Sequence, residues 1–219
     1  MVVAKLTSLP ELPAEPLTLG NGLRVRLIPL PHLQSATVSF FVRVGSRYEK
    51  TETNGLSHFL EHMLYRGTER HPAAHELNLA IEELGGTLDA ATHVDFTSFD
   101  LTLPPETIAQ GIELLAEVLQ QPLLTSLQTE KQIIREEILE DLNEHGKQID
   151  VDNVSRSLLF PNHPLGFSIA GPIDNLDRFE TEDLRRHHGE YYTALNSLLC
   201  VTGAFDAGEI AKTVRSQFE

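Results

Sequence analysis

Directly after the turn signal Asn21-Gly22, residues 23–28 (Leu-Arg-Val-Arg-Leu-Ile) alternate between apolar and polar, which predicts a half-buried β-strand. Residues 36–43 (Ala-Thr-Val-Ser-Phe-Phe-Val-Arg) form a second β-rich run, expected as the antiparallel neighbour of the first. The period then changes. Residues 55–67 and 73–84 read as helices, the second closed by Gly85-Gly86. Residues 87–103 return to β character, with Phe96, Thr97, Phe99, Leu101 and Leu103. Pro104-Pro105-Glu106 opens an amphipathic helix to about residue 120, with Ile108, Ile112, Leu115 and Leu119 on one face. A long acidic helix is expected over residues 126–145 and another over 182–192, reached through Asp174-Asn175-Leu176 and Thr181. A buried strand at 198–201 and a closing helix capped by Asp206 complete the pattern. Strands and helices interleave without strict βαβ alternation. The expected fold is α+β, a mainly antiparallel sheet with helices packed on one face, in a single domain over residues 1–219. Residues 1–15 are proline-spaced and expected to be extended or loosely attached.

Composition narrows the chemistry. A length of 219 residues fits one substantial domain. No apolar run reaches the roughly 18 residues of a transmembrane helix, so no membrane association is expected. The start lacks the charged-then-apolar plan of a secretory signal, and the expected location is cytoplasmic. Lys+Arg 17 against Asp+Glu 32 gives a net charge of −15, which argues against nucleic acid or an anionic membrane as partner. The one cysteine, Cys200, can form neither an internal disulfide nor a thiolate metal cluster, and its apolar surroundings read as those of a buried small hydrophobe. Ten histidines are the unusual count.

Two of them stand in His58-Phe59-Leu60-Glu61-His62. At about 100° per residue, His58 and His62 fall one turn apart on one helix face with Glu61 beside them. Leu56, Phe59, Leu60, Met63 and Leu64 occupy the other face. Histidines at i and i+4 can chelate one zinc ion, and His-x-x-Glu-His is among the signatures of catalytic zinc. A solvated polar face in a histidine-rich chain is the alternative. A catalytic zinc takes a third protein ligand, for which the stretch around Glu130 to Ile138 offers candidates. Glu130 and Glu137 lie two turns apart on nearly one line, bordering the apolar stripe of Ile133, Ile134 and Ile138, whereas Glu136 points away from it. An ordinary charged helix would show the same residues. His71, His75, His93, His145, His163, His187 and His188 lack partners at ligand spacing and read as surface or structural residues.

The sequence resembles the pitrilysin/insulinase family of inverted-motif zinc peptidases, especially its bacterial and mitochondrial-processing-peptidase branch. The resemblance runs through Leu19-Gly20-Asn21-Gly22-Leu23-Arg24-Val25, then Val42-Arg43-Val44-Gly45-Ser46-Arg47-Tyr48-Glu49. It continues through the stretch from Gly55 to Thr68 and the Glu-(x)6-Glu of Glu130 and Glu137. Late echoes are His163-Pro164-Leu165-Gly166, Gly171, Tyr191-Tyr192 with Asn196, and Val201-Thr202-Gly203-Ala204-Phe205-Asp206.

This resemblance implies a zinc endopeptidase that hydrolyses peptides in a chamber. It assigns His58, His62 and Glu137 as Zn2+ ligands, Glu61 as general base, and Glu130 as a second acidic residue behind the site. It makes residues 85–97 the edge strand on which a peptide adds by main-chain pairing, with Asp89, Ala90, Ala91 and Thr92 as substrate-binding positions. Asp89 and Ala91 stand where the family commonly has asparagine and an aromatic, which weakens the carry-over of side-chain contacts but not of backbone pairing. Family members usually pair two related domains of this size into a clamshell, so a second domain or subunit is an expected partner and the expected source of the oxyanion stabiliser. Two further readings compete: a metal-holding half-unit that does not itself cleave, and a related-fold lyase acting on S-ribosylhomocysteine. The lyase needs a cysteine ligand, which Cys200 in its apolar run fits poorly.

Overall fold

The computed structural model describes residues 15–219. The expectation for residues 1–14 lies outside that range, and Glu15 opens strand β1 (Glu15–Thr18). The alternation after Asn21-Gly22 becomes β2 (Arg24–Pro29), and the second β-rich run becomes β3 (Ala36–Val42). Residues 87–103 split into a hairpin of β4 (Thr87–Thr92) and β5 (Thr97–Leu103). The late strand is β6 (Ser197–Gly203). One mostly antiparallel sheet results, in the order β1-β2-β6-β3-β5-β4.

That order corrects one expectation. β3 does not pair with β2, because β6 inserts between them, parallel to β2 (Leu27 opposite Val201) and antiparallel to β3 (Val38 opposite Val201). The connection from β2 to β3 is short enough for a hairpin, but it arches over the end of β6. Leu30 N–H donates to Gly203 O at 2.6 Å, and Ala204 N–H donates to Ser35 O at 3.0 Å. Gly203 makes the crossing possible: its φ is +128°, and a Cβ would lie 2.4 Å from Ser35 O.

The sheet has one apolar face. Val25 and Leu27, Leu199 and Val201, Val38 and Phe40, and Phe99 and Leu101 alternate with less buried neighbours along their strands and are buried together. Helices α3 (Ile108–Gln120) and α8 (Ala207–Phe218) pack on this face. The stripe of Ile108, Ile112, Leu115 and Leu119 is at most 3% exposed, and the Phe218 ring stacks on Phe40 at 5.6 Å. The opposite face carries Ser39, Thr37, Asp100 and Cys200. Cys200 is therefore half-buried on the polar side, rather than buried in the apolar layer as expected, because β6 places residues of its parity there.

The long acidic helix is shorter than expected. It ends as α4 (Leu127–Glu140), and a tight turn follows in which Asn143 Oδ1 accepts from the N–H groups of His145 and Lys147. An asparagine that satisfies backbone donors two and four residues on competes with helix continuation. The chain then forms α5 (Val151–Leu159), opened by Asp150 accepting from Asn153 N–H at 2.8 Å. Helices α1 (Leu56–Leu64), α2 (Ala74–Glu83), α6 (Ile173–Arg178) and α7 (Thr181–Tyr191) complete the described residues.

Candidate metal centre

Helix α1 is held by both its apolar side and its start. Leu56, Phe59, Leu60, Met63 and Leu64 are at most 2% exposed and pack into the core. The N-terminus is met by Glu49, a buried carboxylate one loop earlier. Its Oε1 accepts from Ser57 N–H at 2.7 Å, and its Oε2 accepts from Gly55 N–H at 2.9 Å and Asn54 Nδ2 at 3.0 Å. An anion at this end satisfies donors that have no partner within the helix and complements its dipole. The sequence carries Glu49 within a stretch of family likeness, but its service to the helix end appears only in the fold.

With its core side anchored, α1 turns His58 and His62 to the same partly open side, 16% and 18% exposed. Their Nε2 atoms are 3.2 Å apart. Glu137 on α4 brings Oε2 to 3.7 Å from His58 Nε2 and 3.5 Å from His62 Nε2. Two donors bound tetrahedrally at about 2.0–2.1 Å stand about 3.3 Å apart. Two imidazole nitrogens and a carboxylate oxygen at these separations therefore suit a zinc ion. Glu136, one residue earlier, is exposed and outside the cluster.

Behind the donors sits a second layer. His62 Nδ1 lies 2.8 Å from Glu130 Oε1, and the Glu130 side chain is 1% exposed. Arg66 forms an ion pair with the other Glu130 oxygen. A carboxylate acceptor on Nδ1 fixes the proton there and leaves the Nε2 lone pair free for a metal. Arg66 has no signature in the spacing of the motif and is a functional neighbour that the sequence reading passed over.

The electrostatics follow the same division. Burial, reinforced by His62, pushes the His58 pKa down to about 3, so His58 is neutral and able to ligate. Burial also opposes charge on His62, but the Glu130 hydrogen bond and nearby Glu137 outweigh it and raise its pKa. Burial opposes charge on Glu130 too, yet His62 and Arg66 hold it below the usual carboxylate range. Glu137 is raised by burial. Glu61, 9% exposed, is also raised by burial, and donation from Thr92 opposes that shift only partly.

The expected substrate strand is β4, at the edge of the sheet and, among the described residues, paired only with β5. Ala90 lies opposite Phe99 on the apolar face, whereas Asp89 and Ala91 lie opposite Asp100 and Ser98 on the other. Thr92 does something different: its Oγ1 donates to Glu61 Oε2 at 2.6 Å. A cleft of about 420 Å³ opens beside His58 and Glu137, lined also by Glu140, Asp141, Asp150, Asp152 and Arg156. Asp150 and Asp152 come from the start of α5, a helix beyond the end of the expected acidic one. Of the remaining histidines, His187 is buried 3.1 Å from Ser57 Oγ, and His188 Nε2 donates to Leu119 O at 2.7 Å.

Comparison with known proteins agrees with this architecture. The sequence model of the family described as insulinase, peptidase family M16, matches residues 24–173. The chain is 34% identical over 203 residues to the mitochondrial-processing peptidase subunit beta of Lentinula edodes, covering 92% of this chain and 43% of that protein. It is 30% identical over 188 residues to an uncharacterized zinc protease of Bacillus subtilis, covering 85% of this chain and 45% of the relative. Among solved structures, a putative M16-like peptidase from Alicyclobacillus acidocaldarius superposes with a TM-score of 0.83 at 26% identity, over 96% of this chain and 50% of that one. A protease from Helicobacter pylori gives 0.83 at 25% identity, again over 50% of its chain. The chain thus spans half or less of the length of these proteins. Its sequence match and its fold agree, and the chain belongs to the insulinase family, peptidase family M16.

Proposed function

We propose that this chain is the metal-binding domain of a zinc endopeptidase. The observation that carries the reading is the meeting of His58 Nε2, His62 Nε2 and Glu137 Oε2 within 3.2–3.7 Å, on two helices that the core holds in place. In this reading His58, His62 and Glu137 hold zinc, and Glu130 orients His62. When bound, zinc supplies a Lewis acid that polarises a carbonyl and acidifies water. Glu61, on the same helix as the two histidines, takes the proton of the attacking water and returns it to the leaving amine. A carboxylate whose pKa burial has raised is suited to both steps. The peptide adds to the free edge of β4 by main-chain pairing, which presents it to the same site irrespective of its side chains. The acidic wall of Glu140, Asp141, Asp150 and Asp152 favours peptides with a basic residue near the scissile bond.

A second reading is a half-unit that holds metal and needs a second related domain or subunit to bind and cleave its peptide. The half-length coverage of the relatives supports it. Both readings are tested by one experiment. Zinc is measured in the purified protein, and hydrolysis of a basic peptide is followed with and without a chelator, by this chain alone and with a second domain added. Chelator-sensitive cleavage by the chain alone supports the first reading, and cleavage only with the added domain supports the second. Failure to retain zinc near one equivalent sinks both.

A further inference from the structure

Glu61 has one side-chain partner among the described residues, the Thr92 hydroxyl at 2.6 Å from Oε2. That partner comes from the sheet rather than from the helix carrying Glu61. Thr92 is the last residue of β4, and the hairpin that follows is pinned. His93 N–H donates to Phe96 O at 2.8 Å, and Arg47 N–H donates to Val94 O at 3.1 Å. Gly45 lies so close beneath the turn that a Cβ there would stand 2.1 Å from His93 O. Threonine is stiff at χ1, so a pinned backbone also fixes where its hydroxyl points.

The pairing pattern adds a second fact. With His93 and Phe96 as a hydrogen-bonded pair, antiparallel alternation directs the main-chain groups of Leu88, Ala90 and Thr92 toward the open edge of β4. A peptide added to that edge runs toward the residue that holds Glu61. We propose that Thr92 is a positioning residue. Its hydroxyl holds one oxygen of Glu61 and locks the carboxylate to the strand on which the peptide lies, rather than contacting the peptide side chains. The proposal rests on the reading of Glu61 as the base.

The test compares Thr92→Val and Thr92→Ser in the full zinc-loaded protein, with Thr92→Ala in place of valine if that variant does not fold. Misplacing a catalytic group by about 1 Å costs on the order of a hundredfold, so kcat of Thr92→Val is expected to fall about tenfold to a hundredfold. KM is expected to stay within about twofold, and Thr92→Ser to recover most of the loss. A rise in KM at unchanged kcat would make Thr92 a substrate contact and overturn the proposal, as would no change in either. A readout independent of turnover is the side-chain carboxyl carbon of Glu61 in 13C-labelled protein without peptide, assigned by its disappearance in Glu61→Gln. It should shift in Thr92→Val and stay in place in Thr92→Ser, and an unmoved signal in Thr92→Val would refute the role. If the wild-type protein cleaves no peptide, the peptidase reading falls while this signal still decides whether Thr92 holds Glu61.

Discussion

His62 Nδ1 and Glu130 Oε1 are 2.8 Å apart, on the side of the imidazole opposite the nitrogen that faces His58 and Glu137. Glu130 is almost fully buried, and its two oxygens meet His62 and Arg66. Partners of this kind typically change metal affinity by about 10–100-fold. Glu130→Gln keeps an oxygen near Nδ1 but loses the charge and the pairing with Arg66. Its zinc dissociation constant, read by competition with a chromophoric chelator, should rise about tenfold or more, and an unchanged constant would remove Glu130 from the account.

The two neighbouring glutamates of α4 give an internal control. Glu137 Oε2 lies within 3.7 Å of both histidine nitrogens, and Glu136 lies outside the cluster. Glu137→Gln should weaken zinc retention during dialysis far more than Glu136→Gln. The reverse order would mean that a different carboxylate completes the site.

Glu49 holds the start of the helix that carries both histidines. Alanine in its place strands two backbone donors, Gly55 N–H and Ser57 N–H, at a buried helix end, and leaves Asn54 Nδ2 with Ser168 O as its remaining acceptor. A loss of about 2–3 kcal/mol is expected from those unmet groups. Urea unfolding of the metal-free protein measures it directly, and a change below about 0.5 kcal/mol, the size of an ordinary surface substitution, would contradict the helix-end role.

His187 predicts a pH dependence of stability. Burial, with His188 and Arg186 adding to it, lowers its pKa to about 4 in the folded protein. In the unfolded chain a histidine titrates near 6.5, so between those values the unfolded state binds more protons. Stability from this residue is present in full above about pH 6.5 and is lost as pH falls toward 4, on the order of 3 kcal/mol in all. His187→Asn should flatten that part of the urea-derived stability curve between pH 7 and 5, and an unaltered slope would assign it to other groups.

What the sequence made legible was what a local period encodes. The two-sided α1 and the Ile108-Ile112-Leu115-Leu119 stripe of α3 are patterns within one helix, and both are buried as expected. The place of β6 was not legible, because alternation shows that a strand has one apolar face but not which strands lie beside it. α5 was hidden for a different reason: it is short, follows the Asn143–Gly146 turn and buries no residue completely. At the site, His58 and His62 share a motif spacing on one helix, and the fold brings Glu137 to them from another. Thr92 meets Glu61 across 31 residues, so its hydroxyl contact is visible only in the folded hairpin. Arg66 is close to the motif, yet its partner Glu130 lies on another helix.

The proposed division of labour gives Glu61 the proton chemistry and the two histidines and Glu137 the metal. Glu61→Gln separates these roles, because it removes the base and touches none of the three donors. Zinc content and peptide hydrolysis should be measured side by side on wild type and Glu61→Gln, each supplied with any second domain that cleavage requires. Equal zinc is expected in both, with hydrolysis at least about a hundredfold slower in the variant. Full hydrolysis by zinc-loaded Glu61→Gln would contradict that division of labour.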